Sequence, residues 1–168
     1  MKKNETRGFT LIELLIVIML IGVLSGVILG VINVGGIRAK SRDAQRAADI
    51  KKIQTALELY FADNRTYIVS PNWQTVVAAL EGPLRTGATK YLNVIPTDPS
   101  LASATSPCVG TTNYDYWYRG TAGAYILATN MEVPTSDDAS TCVSLNSWSA
   151  LTPVCAPAGN CYGVENPF

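Results

Sequence analysis

Histidine is absent from the chain. Its absence removes the commonest general base, the usual catalytic zinc ligand and the base of Ser-His or Cys-His nucleophilic pairs. No clustered nucleophile and base replaces it, so the chain is not expected to be an enzyme. Net charge is absent as well, 13 Lys and Arg standing against 13 Asp and Glu. No global basic field of the kind that draws nucleic acid exists, and no nucleic-acid partner is expected. Closely paired cysteines, the signature of structural zinc, are missing too. The four cysteines, Cys108, Cys142, Cys155 and Cys161, are widely and irregularly spaced in the C-terminal part, which suits disulfides in an oxidising compartment. Several pairings are open to them. Loop length favours Cys155–Cys161 as a local bridge and Cys108–Cys142 as a longer one, without deciding the matter. At 168 residues the chain holds one ordinary domain of ~100–200 residues beside any membrane segment.

The most informative scarcity is local. From Phe9 to Ile32 the only ionisable side chain is Glu13, and an apolar run of about 20 residues at ~1.5 Å rise each is what one membrane crossing requires. Desolvating an acid there costs roughly 2.5–3.5 kcal/mol, so Glu13 is by default a functional residue in need of a partner. Residues 1–8, with Lys2, Lys3 and Arg7 against Glu5, read as a cytoplasmic leader. Arg38, Lys40 and Arg42 crowd the other end of the run, so the rule that cytoplasmic flanks are positive does not orient the segment. The cysteines do, by placing the C-terminal part outside. A secretory signal would show a small-residue cleavage site after its apolar core; here Gly8 precedes it.

A basic leader ending in Gly8, then Phe9-Thr10-Leu11-Ile12-Glu13 and an apolar helix, resembles the class III signal of type IV pilins and type II secretion pseudopilins. The resemblance implies that a prepilin peptidase cuts after Gly8 and that the freed Phe9 amine is N-methylated. It further implies that Glu13 pairs with the Phe9 amine of a neighbouring subunit as a filament grows. Gly22, Gly26 and Gly30 recur on one face, where small residues let helices approach closely in lipid. Each weakens a helix interior by roughly 1 kcal/mol. In the family this stretch loosens on assembly, and many pilins carry a proline near its end where this chain has Gly30. Asn33-Val34-Gly35-Gly36 is a second soft point at the outer boundary.

Ile50, Ile53, Leu57 and Tyr60, with Ala47 before and Phe61 after, form one apolar stripe on a helix that Asp63-Asn64 ends. Most of the charges around it, Arg38 to Glu58, read as a solvated face. A helix continuous from Phe9 to Ala62 would measure ~80 Å. Beyond it, Trp73–Leu80 reads as a short helix opened by Ser70-Pro71-Asn72 and closed by Gly82-Pro83. Tyr91–Pro99 reads as a proline-fixed turn. Asn113–Arg119 and Ala124–Thr129 read as a hairpin linked through Gly120 and Gly123, with Tyr114, Tyr116 and Tyr118 covering the amphipathic helix.

The segment Tyr91-Leu92-Asn93-Val94-Ile95-Pro96-Thr97-Asp98-Pro99, the strands and Met131-Glu132 together resemble the head of the G-type major pseudopilin. Members of that group commonly hold calcium in a C-terminal loop. This chain has only Asp137-Asp138 there, against the six to eight oxygens a calcium ion takes, so no cofactor is expected, with calcium the one to consider.

The expected fold is α+β: a long N-terminal helix, membrane-spanning then amphipathic, on a small antiparallel sheet with a disulfide-stapled, loop-rich C-terminus. Its parts are a leader (1–8), a transmembrane half (9–32), an extracytoplasmic half (33–62) and a globular head (63–168). The expected function is a structural filament subunit, single-pass in the bacterial cytoplasmic membrane with its C-terminus outside. Its partners are further copies of itself, the peptidase, an assembly ATPase and a platform protein. A membrane-anchored monomeric surface-binding protein is the alternative, and it would need no cut after Gly8.

Overall fold

The structure, a computed structural model, describes residues 9–31, 34–100, 108, 114–133, 144–145, 147–148 and 160–167, with backbone alone for 27–31 and 34. The chain divides into two compact units, Met1–Ile37 and Arg38–Phe168.

In the first unit, helix α1 (Leu11–Val31) begins at Thr10. Its side chains from Leu11 to Gly26 are all exposed. Among the described residues no helix is long and apolar enough to cross a membrane; the apolar sequence continues into residues 27–32, whose side chains lie outside the description.

Helix α2 (Val34–Asn64) belongs to the second unit from Arg38 onward, where it packs on an antiparallel sheet of β1 (Ser70–Thr75), β2 (Tyr116–Gly120), β3 (Tyr125–Asn130) and β4 (Cys161–Glu165), in that order. This is the expected α+β class. Ile50, Ile53, Ala56 and Leu57 of α2 are buried against Tyr116, Tyr118, Tyr125 and Leu127 on one face of the sheet, with Tyr60 and Phe61 packed at the margin. Each large side chain so covered contributes roughly 1.5–3 kcal/mol relative to exposure. The alternate residues Trp117, Ile126 and Ala128 point to the other face, against Cys108, Leu145 and Cys161. Strand β3 is therefore buried on both sides, which suits its apolar run from Tyr125 to Ala128. Helix α2 stops where Arg65 turns left-handed, φ 57°, and its N–H bonds the Phe61 carbonyl at 2.8 Å.

The hairpin forms with Gly120 opposite Tyr125. Gly120 is required for closeness: a Cβ there would overlap both the Tyr118 hydroxyl and the Ile68 carbonyl oxygen, which bond each other.

Two expectations are corrected. Trp73, Gln74 and Thr75 are strand, because Gln74 and Thr75 pair with Tyr118 and Trp117; sheet pairing overrides the local helical pattern. The helix proper, α3, is only Val76–Leu80, capped by the Thr75 side chain, which accepts from the Ala78 N–H. Pro83 has no N–H and crowds the preceding turn, and the chain passes it in a widened helical turn, Glu81–Thr86.

The second correction is the disulfide, which joins Cys108 to Cys161 across 53 residues with Cα atoms 5.4 Å apart. Neither favoured pairing occurs for these two cysteines. Strand pairing decides it: Cys161 lies opposite Asn130, and the Cys108 sulfur lies 3.6 Å from the carbonyl of Thr129, the next residue on β3. A loop this long gives the bridge on the order of 4 kcal/mol of chain-entropy stabilisation. Cys142 and Cys155 lie outside the described residues.

Candidate functional site

Two groups of ionisable residues stand out. The first is the start of α1. Glu13 Oε2 accepts from the Thr10 backbone N–H at 2.9 Å and the Thr10 hydroxyl at 2.7 Å, while the Glu13 N–H donates to Thr10 Oγ1 at 3.3 Å. This is a reciprocal capping box, in which the acid satisfies a donor that a helix end would otherwise leave unpaired. Phe9 is 90% exposed. Glu13 thus has a partner within its own chain, an arrangement that keeps the carboxylate at the helix entrance beside Phe9.

The second group is buried in the head. Arg46 is fully buried. Its Nε and Nη2 form a two-pronged bond to Asp98 at 2.7 and 3.0 Å, Nη1 reaches Asp43 at 2.7 Å and Glu132 at 2.9 Å, and Nη2 also reaches the Ser100 hydroxyl at 3.0 Å. Every N–H of the guanidinium is used. The Tyr114 ring lies 4.2 Å from Arg46 Cζ, a cation over an aromatic face. Asp43 in turn accepts from the backbone N–H groups of Glu132 and Val133, both at 2.9 Å. Glu132 also receives Arg42, whose Nε is 2.6 Å away. The cluster therefore fastens α2 to the proline-flanked Asp98 loop and to the turn that follows β3.

Electrostatics follow from these contacts. Burial opposes the charged Arg46, but the bonds to Asp98, Glu132 and Asp43 outweigh it and raise its pKa. The hydrogen bond from Arg42 holds the Glu132 carboxyl down to about 2, against burial and with help from Arg46. Deeper along α2, burial pushes up the Tyr116 and Tyr125 hydroxyls, reinforced by Asp49 and Glu58 respectively. Those hydroxyls stay protonated and donate, Tyr116 to Asp49 at 3.2 Å and Tyr125 to Glu58 at 2.7 Å.

The family described as the prokaryotic N-terminal methylation motif matches residues 3–29. Type II secretion system core protein G of Escherichia coli (strain K12) is 33% identical over 100 residues, taking in 57% of this chain and 68% of that one. The chain belongs to the type IV pilin and type II secretion pseudopilin family. Core protein G of Pectobacterium carotovorum subsp. carotovorum is 32% identical over 100 residues, covering 55% of this chain and 61% of that protein. That of Aeromonas hydrophila is 34% identical over 67 residues, covering 40% and 46%. The chain thus spans less than half the length of the Aeromonas relative. No solved structure matches it.

In this pilin-family chain the residues singled out at the N-terminus fall as follows. Thr10 and Glu13 are brought together; Phe9 is described, and Gly8 with the rest of 1–8 lies outside the description. Gly22 and Gly26 sit in α1 with nothing within 4 Å of an added Cβ, and Gly30 is in α1 as backbone alone. Asp137-Asp138 lie outside the described residues. The solvated reading of the charge run holds at Arg38, Lys40, Lys51 and Lys52, which are exposed, and fails at Arg46 and Asp49, which are buried. A signal for this was present. Arg46 and Asp49 precede Ile50 and Ile53 at three- and four-residue steps, so they lie on the same stripe as the apolar residues, and a charge on such a stripe must be paired.

Proposed function

We propose that the chain is a structural subunit of a type II secretion-type pseudopilus. Residues 9–32 cross the bacterial cytoplasmic membrane once, with the disulfide-bonded head outside. Prepilin peptidase cuts after Gly8, the Phe9 amine is methylated, and an assembly ATPase with a platform protein draws subunits into the filament. The observation that carries this is the Gly8-Phe9-Thr10-Leu11-Ile12-Glu13 signal, leading into an apolar run in which Glu13 is the only ionisable side chain as far as Ile32. Segment 9–32 has the ~20 residues a crossing needs. Segment 33–62 serves as the amphipathic support of head 63–168.

Assembly is specified by the acid. In an unassembled subunit Glu13 caps its own helix through Thr10, and in the filament it also meets the Phe9 amine of its neighbour. Only the correct axial register brings opposite charges together in the apolar core. Gly22, Gly26 and Gly30 mark the stretch that loosens as helices bundle.

Deleting the gene in its own host is expected to abolish secretion of folded extracellular enzymes, with secretion restored by the intact gene on a plasmid. Unchanged secretion, alongside lost twitching or lost DNA uptake, would replace the pseudopilus with a type IV pilus.

A further inference from the structure

The basic residues that follow the apolar run are anomalous. On the proposed topology, Arg38, Lys40 and Arg42 lie on the non-cytoplasmic side, where excess Lys and Arg are disfavoured. No acid precedes Asp43 in that segment. Arg42 is accounted for by its bond to Glu132. Arg38 and Lys40 are exposed, and among the described residues neither is paired with an acid. Two positions apart on a helix, they point roughly 200° away from each other around its axis. Exposed Ile37 stands immediately before them, 58% accessible. An apolar side chain followed by two outward cations on opposite sides of one helix suits the boundary between acyl chains and headgroups.

We propose that Arg38 and Lys40 form a collar that binds anionic phospholipid headgroups in the outer leaflet of the cytoplasmic membrane. The inference rests on the membrane-crossing reading above. The lipid phosphates supply a counter-charge that no described residue gives these two positions. They fix the depth of the waiting subunit, and the contacts are given up when it is drawn into a filament. A basic residue near an anionic surface is worth ~1 kcal/mol, or about fivefold in local lipid preference.

The test uses the full chain in phosphatidylcholine nanodiscs doped with spin-labelled phosphatidylglycerol or spin-labelled phosphatidylcholine, with the motionally restricted lipid measured by electron paramagnetic resonance. The expected result is a preference of about fivefold for phosphatidylglycerol. It should fall to near parity in Arg38→Gln/Lys40→Gln and persist in Arg38→Lys/Lys40→Arg. Adding inorganic phosphate should reduce it no more than sodium chloride of equal ionic strength does; specific displacement by phosphate would mean a free-anion site and overturn the lipid assignment. Equal restriction of the two lipids by the wild-type chain, or an undiminished preference in the glutamine variant, would also overturn it while leaving the crossing intact. No restricted lipid of either kind would remove the crossing and this proposal together.

Discussion

Replacing Arg46 with alanine is expected to cost the head about 3–5 kcal/mol, the penalty for leaving one side of a buried ionic group unpaired. The reason is the wiring of the cluster rather than the size of the side chain. Without the guanidinium, Asp98, itself buried, loses both its bonds to Arg46, and Asp43 and Glu132 each lose one. Arg46→Lys keeps the charge, but three donors on a flexible stem cannot reproduce the fork, so it should recover only part of the loss. Asp98→Asn should cost less than Arg46→Ala, because the arginine retains Asp43, Glu132 and Ser100. Urea unfolding of the full chain in detergent, followed through the fluorescence of buried Trp117, measures all three.

The same experiment run against pH carries a signature of the cluster. Glu132 has its carboxyl held at about 2 in the folded chain, against an ordinary value of 4.5. Its contribution is therefore present in full above about pH 4.5 and is lost as pH falls through about 2. Glu132→Gln should remove that part of the acid sensitivity. An Arg46→Ala variant within about 1 kcal/mol of wild type would show that the cluster does not hold the head together.

Glu13→Ala is expected to be cut after Gly8 as in the wild type yet to yield at least tenfold less filament. A lost buried pair of roughly 3–5 kcal/mol leaves room for that, since each factor of ten in an equilibrium needs only about 1.4 kcal/mol. Because Thr10 engages the same carboxylate, a second variant is needed to separate helix capping from pairing between subunits. Glu13→Gln keeps an acceptor for Thr10 and discards the charge. If charge pairing sets the register, this variant assembles as poorly as Glu13→Ala. If capping alone matters, it assembles normally. Sheared filaments quantified against total mature subunit give the ratio, and normal yield from Glu13→Ala would remove the pairing mechanism.

The sequence revealed those parts of the fold whose pattern is dictated by one element at a time. The Ile50, Ile53 and Leu57 stripe is buried where its period places it, and the hairpin forms, though its first strand is Tyr116–Gly120 rather than Asn113–Arg119, which leaves Tyr114 outside the strand and Gly120 within it. What could not be read depends on two distant elements meeting. Trp73 to Thr75 has a helical pattern but pairs with β2. Cys108 finds Cys161 because β4 docks on β3, whereas loop length considers only separation along the chain. Asp98 and Glu132 fall in segments that resemble the family, but their shared partner Arg46 sits in a charge run that looks solvated until the sheet is in place. At the candidate assembly site the acid and its motif were plain, while the role of Thr10 as its partner needed the helix entrance itself.

The most direct measurement is intact mass and N-terminal sequencing of the chain taken from filaments isolated from its own host. A mature subunit beginning at Phe9 and bearing one N-methyl group is the expected result. Filaments built of chains that still begin at Met1 would contradict it, since no free Phe9 amine would then exist for a neighbour's Glu13 to meet.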